Sequence, residues 1–403
     1  MKILQINTVV NSGSTGRIAE DIGTNAIENG WDSYIAFGRN ERPSCSTKIK
    51  IGNEWDNKYH AFQTRLFDNH GFASNDATKK FIEKMKIINP DIIHLHNLHG
   101  YYLNVELLFN YLKKSEIPTV WTLHDCWAFT GHCTHFTYVN CNKWKSQCFK
   151  CPQKLEYPKS YLLDNSMNNY ILKKAIFSGL NNLTIVTVSE WLKNIVTESF
   201  LKKLPIYRIY NGIDTKKFSF RNGTNLLSKY PIRDKFLLLG VASTWNNRKG
   251  FEDYIELSKN LNDDELLVLI GLSSKQVNQL PSKILGIEKT ENIDELINWY
   301  SLVDIVLNLS HEETFGMTTI EGFACGTPAI VYNCTASPEL ITNNTGIVVE
   351  KYDYDGLRSA INTIKNNGKS YYYSNCVDLV NKKFEKSLMT KNYMNLYKKL
   401  LTI

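Results

Sequence analysis

The chain has 403 residues, 43% of them apolar and 22% charged, with a formal net charge of +7. That length is too great for one compact core, so two domains are expected, and the composition is that of an ordinary globular protein. No Lys/Arg block dense enough for nucleic acid is present, which excludes that partner. The spread positive charge reads as solvated surface, or as weak attraction to an anionic membrane or to phosphorylated ligands.

No apolar run approaches the roughly 18 residues of a membrane span. Gln5 and Asn7 break the opening stretch, which reads as a first strand rather than a signal peptide. A cytoplasmic protein is expected, with any membrane association peripheral and at the inner face of the cell membrane.

Taken in chain order, strands and helices alternate, the pattern of parallel sheets with helices on both faces. Residues 3–7 form the first strand, followed by a Ser/Gly loop and a helix ending near Gly30. Residues 32–37 are the next strand. Beyond a helical and polar stretch, 92–96 and 119–123 are strands with a helix over 104–114 between them. Residues 184–188 are a strand, Ser189 caps the helix that follows, and 206–210 closes the first half. The rhythm restarts with a strand at 236–242, a helix at 251–261 and strands at 266–270 and 284–287. A helix at 293–300, a strand at 304–309 and a strand at 329–332 follow. Apolar residues at Phe384, Leu388, Tyr393, Leu396, Tyr397 and Leu400 are spaced for an amphipathic terminal helix. The expected fold class is α/β, two Rossmann-like doubly wound domains facing across a cleft. They would occupy 1–210, carrying a Cys-rich insert at 126–151, and 211–383, with 384–403 packing back on the first.

The segment 311–328, HEETFGMTTIEGFACGTP, carries the most chemistry. It sets Glu313 and Glu321 eight residues apart, around a small-residue turn and a helix start. Carboxylates just beyond a strand end, beside exposed helix-start amides, suit a ligand bearing both hydroxyls and phosphates, as a nucleotide-sugar does. A purely structural alternative puts Glu321 in the first helical turn, complementing the dipole, and leaves Glu313 an ordinary loop acid. Arg248 and Lys249 fall where the first strand of the second half gives way to its helix. Cations there stabilise a departing diphosphate, whereas plain solvated cations would oppose the helix dipole. The loop 11–16, NSGSTG, opens the first helix and presents Gly13 and Gly16, a weak signal alone. Arg17 either joins that loop's ligand or covers the helix.

His94 and His96 share one face of a strand, with His99 three residues on. They read as packing or acceptor contacts, or as part of a metal site lacking an evident third ligand. Five of nine cysteines lie between Cys126 and Cys151. Cys133, Cys141, Cys148 and Cys151, spaced C-x7-C-x6-C-x2-C, favour a structural zinc, with free thiols or redox pairing as alternatives. The insert's aromatic residues, Trp127 among them, either stack on an acceptor sugar or bury around a stapled loop.

Taken together, the first Gly loop, Thr122-Leu-His-Asp125, Asn211-Gly-Ile-Asp214, Arg248-Lys249-Gly250 and the E-x7-E spacing, in this order across nearly the whole chain, resemble the retaining GT-B glycosyltransferases of the large group 4 family (glycosyl transferases group 1 type). The resemblance implies that Glu313 contacts hydroxyls of the donor sugar and Glu321 the nucleotide ribose. Phe315, Gly316, Met317 and Thr318 would offer backbone N–H groups to sugar and phosphates, and Lys249 and Arg248 would meet the diphosphate. It also implies that the loop with Gly13 and Gly16 meets the donor phosphates and the acceptor, and that His124 faces the donor sugar; Asp125 beside it would orient that site or the acceptor, and Trp127, in the insert that follows, would shape the acceptor side. The family usually carries an Arg where this chain has Thr244, so Arg248 is expected to stand in for it. The implied reaction is retaining hexosyl transfer from a nucleotide-sugar to a glycan or lipid-linked saccharide, in cell-surface polysaccharide biosynthesis. No cofactor is required for catalysis. A nucleotide-sugar epimerase or hydrolase on the same fold, and a non-catalytic sugar-nucleotide or glycan binder, are the rivals.

Overall fold

The computed structural model describes residues 1–402. Two compact units emerge, Met1–Tyr210 together with Met389–Ile403 (unit 1), and Asn211–Leu388 (unit 2).

Unit 1 runs β1 (Lys2–Asn7), α1 (Gly13–Glu28), β2 (Asp32–Phe37), β3 (Thr47–Lys50), α2 (Glu54–Phe67), α3 (Asn75–Ile88), β4 (Ile92–Leu95), α4 (Val105–Ser115), β5 (Thr119–Leu123), α5 (Ser166–Phe177), β6 (Leu183–Thr187), α6 (Glu190–Glu198) and β7 (Ile206–Arg208). The seven strands pair in parallel in the order β3-β2-β1-β4-β5-β6-β7. The order reverses between β1 and β4, and such a switch opens a crevice beyond the carboxyl ends of the strands. The central strands are buried on both faces, so they read as apolar runs rather than as an alternation. Ser189 caps α6 as expected, its hydroxyl accepting from the Leu192 amide at 3.1 Å.

Unit 2 runs α7 (Thr224–Lys229), β8 (Phe236–Val241), α8 (Phe251–Lys259), β9 (Glu265–Ile270), α9 (Ser274–Val277), β10 (Ile284–Ile287), α10 (Ile293–Leu302), β11 (Ile305–Asn308), α11 (Met317–Ala324), β12 (Ala329–Tyr332), β13 (Gly346–Val349), α12 (Tyr354–Asn367) and α13 (Lys369–Leu379). Its six parallel strands follow the order β10-β9-β8-β11-β12-β13, with the same kind of switch between β8 and β11.

The terminal helix α14 (Lys386–Leu400) starts two residues later than the apolar spacing suggested. Val380–Phe384 forms a π turn and Glu385 is extended, which separates the two helical stretches. Ile213 and the residues around Phe384 tie this passage down inside unit 2, with amide bonds of 2.8 and 2.9 Å. Farther along α14, Met389, Tyr393, Leu396 and Tyr397 enter the core of unit 1 with Ile3, Ile22, Ile92 and Val120. Among the described residues, no helix is long and apolar enough to cross a membrane.

Candidate active site

In unit 2 the turn after β8 and the loop after β11 lock to each other. Asn246 caps the turn by accepting from the Lys249 amide at 3.1 Å. Gly250 then takes a left-handed φ of +69°, and a Cβ there would lie 2.1 Å from the Leu309 carbonyl. The Arg248 carbonyl accepts from the His311 amide at 2.8 Å, while the Arg248 guanidinium donates to the Glu312 carbonyl at 2.9 Å. This close approach puts the Lys249 ammonium in a direct ion pair with Glu313. Burial works to raise the Glu313 carboxyl, but Lys249 and Arg248 outweigh it and hold the group below its usual range. Burial, with Arg248 nearby, lowers Lys249 despite Glu313. The sequence therefore brings Arg248, Lys249 and Glu313 together as expected. Thr244, by contrast, is exposed, and its hydroxyl turns onto the Ser243 carbonyl at 2.8 Å.

Gly316, with φ +102°, is the N-cap of α11, so Met317 and Thr318 form its first turn. Amides in a first turn have no intrahelical acceptor and suit an anion. Phe315 offers only backbone, since its ring is buried, 5.8 Å from that of Phe384. Glu321 does not lie in the first turn, so the dipole explanation fails: α11 opens at Met317 and Glu321 is its fifth residue. Its carboxylate is buried and accepts from the Tyr300 hydroxyl at 2.7 Å.

A second layer steadies the β11 loop. His311 donates from Nε2 to Asp253 at 2.7 Å, and the hydroxyls of Tyr332 and Tyr354 donate to the other carboxylate oxygen at 2.9 and 3.1 Å. Burial would raise Asp253, but these hydrogen bonds hold it low. Second-layer bonds of this kind fix the orientation of the groups they support.

In unit 1 the Gly loop closes on itself. Gly13 has φ +63° and accepts at its carbonyl from Arg17 Nε at 3.1 Å, so Arg17 covers the helix start. Gly16 packs on the loop, where a Cβ would meet Val9 at 3.0 Å and the Asn11 amide at 3.2 Å. The strand histidines form a ladder rather than a metal site. His94 joins the Thr122 and Tyr397 hydroxyls at 2.8 and 2.6 Å, and His96 joins Gln5 at 3.0 Å and His124 at 3.2 Å. Burial pushes His124 down to about 4, partly offset by Asp125, and keeps His94 and His96 far below the usual imidazole range. Asp125 orients His99 instead of its neighbour His124. It accepts from His99 Nε2 at 2.6 Å and from the Trp127 amide at 2.9 Å. Burial alone would raise Asp125, but His99 prevails and holds it at about 2.

The insert departs from two expectations. Trp127 presents no open face to an acceptor: it is buried, with the Lys173 ammonium 3.4 Å from its ring centroid. Lys173 is itself buried, donates to the Trp127 and Thr130 carbonyls at 2.9 and 3.1 Å, and is brought down to about 7 by desolvation. Nothing in the sequence pattern marked this lysine. The structural zinc expected at Cys133, Cys141, Cys148 and Cys151 is not supported. The four line one small pocket, but among the described residues no group of three or more His, Cys, Asp or Glu is placed to hold a metal ion. Cys133 and Cys151 hydrogen-bond to each other instead, which lowers Cys151, while burial pushes Cys148 up to about 12. Trp144, on the wall of that pocket, packs on Phe129 and Phe136 at 5.5 and 4.9 Å.

Comparison with known proteins follows the same division. The family model Glycosyltransferase Family 4 matches residues 16–217, half of the chain, and Glycosyl transferases group 1 matches 224–375. WcaC of Escherichia coli K12, assigned to glycosyl transfer in colanic acid biosynthesis, is 30% identical over 170 residues, 39% of this chain and 41% of WcaC. The N-acetyl-alpha-D-glucosaminyl L-malate synthase of Bacillus anthracis is 29% identical over 363 residues, 86% of this chain and 82% of the synthase. Among solved structures, HepE of Anabaena in complex with UDP superposes with a TM-score of 0.70 at 13% identity, covering 99% of this chain and all of HepE.

Proposed function

The chain belongs to glycosyltransferase family 4 and has the GT-B fold, and from that premise we propose that it moves a hexosyl group, with retention, from a nucleotide-sugar to a glycan or lipid-linked acceptor during synthesis of a bacterial surface polysaccharide. The reaction would run at the inner face of the cell membrane. The observation that carries the reading is the Lys249–Glu313 ion pair, held by the turn after β8 and next in sequence to the N-terminus of α11.

In the proposed step the bond between the anomeric carbon and the diphosphate oxygen breaks. The acceptor hydroxyl bonds to the same face of that carbon, and its proton passes to the departing diphosphate. Negative charge grows on the leaving group, so Lys249 and the Met317 and Thr318 amides stabilise the transition state more than the ground state. Arg248 is proposed to support this by holding the Glu312 carbonyl, which fixes the loop bearing Glu313. Glu313 would bind donor-sugar hydroxyls and position Lys249, and Glu321 the ribose, with Tyr300 orienting its carboxylate. With a cation and helix amides supplying the positive charge, the step as written calls on no divalent metal. Gly13, Gly16, His124 and Asp125 in unit 1 are proposed to serve donor and acceptor, on family resemblance.

The test is a panel of nucleotide-sugars, screened first by thermal shift and then for transfer and for hydrolysis without acceptor. A donor that stabilises the protein and is consumed only with acceptor supports transfer. Acceptor-independent hydrolysis, or binding with no turnover, would overturn it. Glu313→Gln should keep the melting temperature and lose turnover; full activity in that variant removes Glu313 from the site.

A further inference from the structure

Helix α2 wears its aromatic residues on the outside. Trp55, Tyr59 and Phe62 recur at helical spacing, and each is more than half exposed, while the opposite face buries His60 and Thr64. A surface helix normally turns its apolar stripe to the core. Lys58 and Arg65 lie on the same outward stripe, and the Lys58 ammonium sits 4.8 Å from the Trp55 ring centroid. A second apolar element is fastened to the end of this helix. The Tyr161 amide donates to the Arg65 carbonyl at 2.7 Å and the Leu163 amide to the Leu66 carbonyl at 3.0 Å. Tyr161, Leu162 and Leu163 are each more than half exposed as well. The patch is therefore continuous across two segments, and patches of such extent on a soluble surface mark a docking face.

Charge identifies what it docks to. Residues 143–174, which include this second element, hold seven lysines against two acidic residues, and all but the buried Lys173 reach the surface. The surface around this second element is thus locally basic. The acids on the patch are partly committed elsewhere: Asp56 closes the α2 capping box, and Asp164 accepts from the Cys151 and Ser166 amides. Aromatic rings at an interface, aliphatic side chains beyond them and cations interleaved are the chemistry of an anionic bilayer surface. A second copy of the chain would set the same lysines against each other. Bases and phosphates of a nucleic acid would leave Leu162 and Leu163 without apolar partners.

We propose that the outer face of α2 and the adjoining segment 161–163 dock unit 1 onto an anionic membrane, the aromatic and leucine side chains entering the interface and the surrounding lysines meeting lipid phosphates. This holds whether or not the acceptor is lipid-linked. The test is co-sedimentation of the full chain with vesicles of equal parts phosphatidylcholine and phosphatidylglycerol, and with phosphatidylcholine alone. Expected is binding to the anionic vesicles at least about 10-fold tighter than to the neutral ones, weakened by salt as charge attraction requires. Trp55→Ser with Phe62→Ser, and separately Lys154→Glu with Lys159→Glu, should each lower that binding about 10-fold at an unchanged melting temperature. Equal affinity for both vesicle types, or full binding by either double variant, overturns the proposal. So does a concentration-dependent dimer abolished by the Trp55/Phe62 substitutions.

Discussion

Beyond β8 and β11 in unit 2, two cations and a carboxylate are drawn together, and the cations hold Glu313 below its usual range. Beyond β4 and β5 in unit 1, the equivalent strand ends carry imidazoles stripped of charge by burial. Eight of the nine histidines fall in unit 1, and His311 alone in unit 2. The two sheets are built alike, so architecture does not set this contrast; the loops do. On the proposed function, the charges in unit 2 meet a substrate whose own charge changes during reaction. The neutral ladder in unit 1 positions groups by hydrogen bonds that weaken once a proton is added.

Substitutions in the charged region should have the largest effect. Lys249→Met or Glu313→Gln should cut turnover by about 100-fold or more with little change in melting temperature, the loss typical of removing one preorganised transition-state contact. Steady-state rates with the donor found by thermal shift would check it. A variant that only raises KM would move the pair from catalysis to ground-state binding.

Acid separates the units next. His60 is brought down to about 3 and His124 to about 4, chiefly by burial, against an unfolded value near 6.5. The unfolded chain takes up protons first as pH falls. The stability from these neutral groups is full above about pH 6.5 and is lost below it, by up to about 1.4 kcal/mol per pH unit for each. His132, raised by Asp68 against its burial, works in the opposite sense. Between pH 6.5 and 4, hydrogen exchange should show β4 and β5 losing protection before β8 and β11; equal loss would break the contrast.

Two smaller effects test how each region is held. Lys173→Met removes the ammonium that donates to the Trp127 and Thr130 carbonyls and should cost about 1–3 kcal/mol in denaturant unfolding. Tyr397→Phe removes the hydroxyl that meets His94 and should cost about 1 kcal/mol, with His94 titrating nearer the usual range by NMR.

The contrast was only half legible in the sequence. Gly250, Lys249 and the E-x7-E segment are short-range signals, because a left-handed turn and a helix N-cap leave local marks. The position of Glu321 within α11 was not fixed by the sequence, since Gly316, Thr318 and Thr319 are all acceptable N-caps. Nor was the unit 1 network, since Thr122 meets Tyr393 across 271 residues and His94 meets Tyr397 across 303. The stripe Trp55-Tyr59-Phe62 was visible as helical spacing, but periodicity does not say which face is buried. The cysteine spacing suggested a metal because it counts sulfurs along the chain and ignores where their side chains point.

The course of α14 bears on biogenesis. On the ribosome, Tyr393 and Tyr397 emerge only after all of unit 2 has been made, yet they complete the core of unit 1 and the partners of His94 and Thr122. Unit 2 has its whole sequence in hand first, although it is encoded second. Until translation passes residue 397, unit 1 holds an open apolar groove, the kind of surface that chaperones bind.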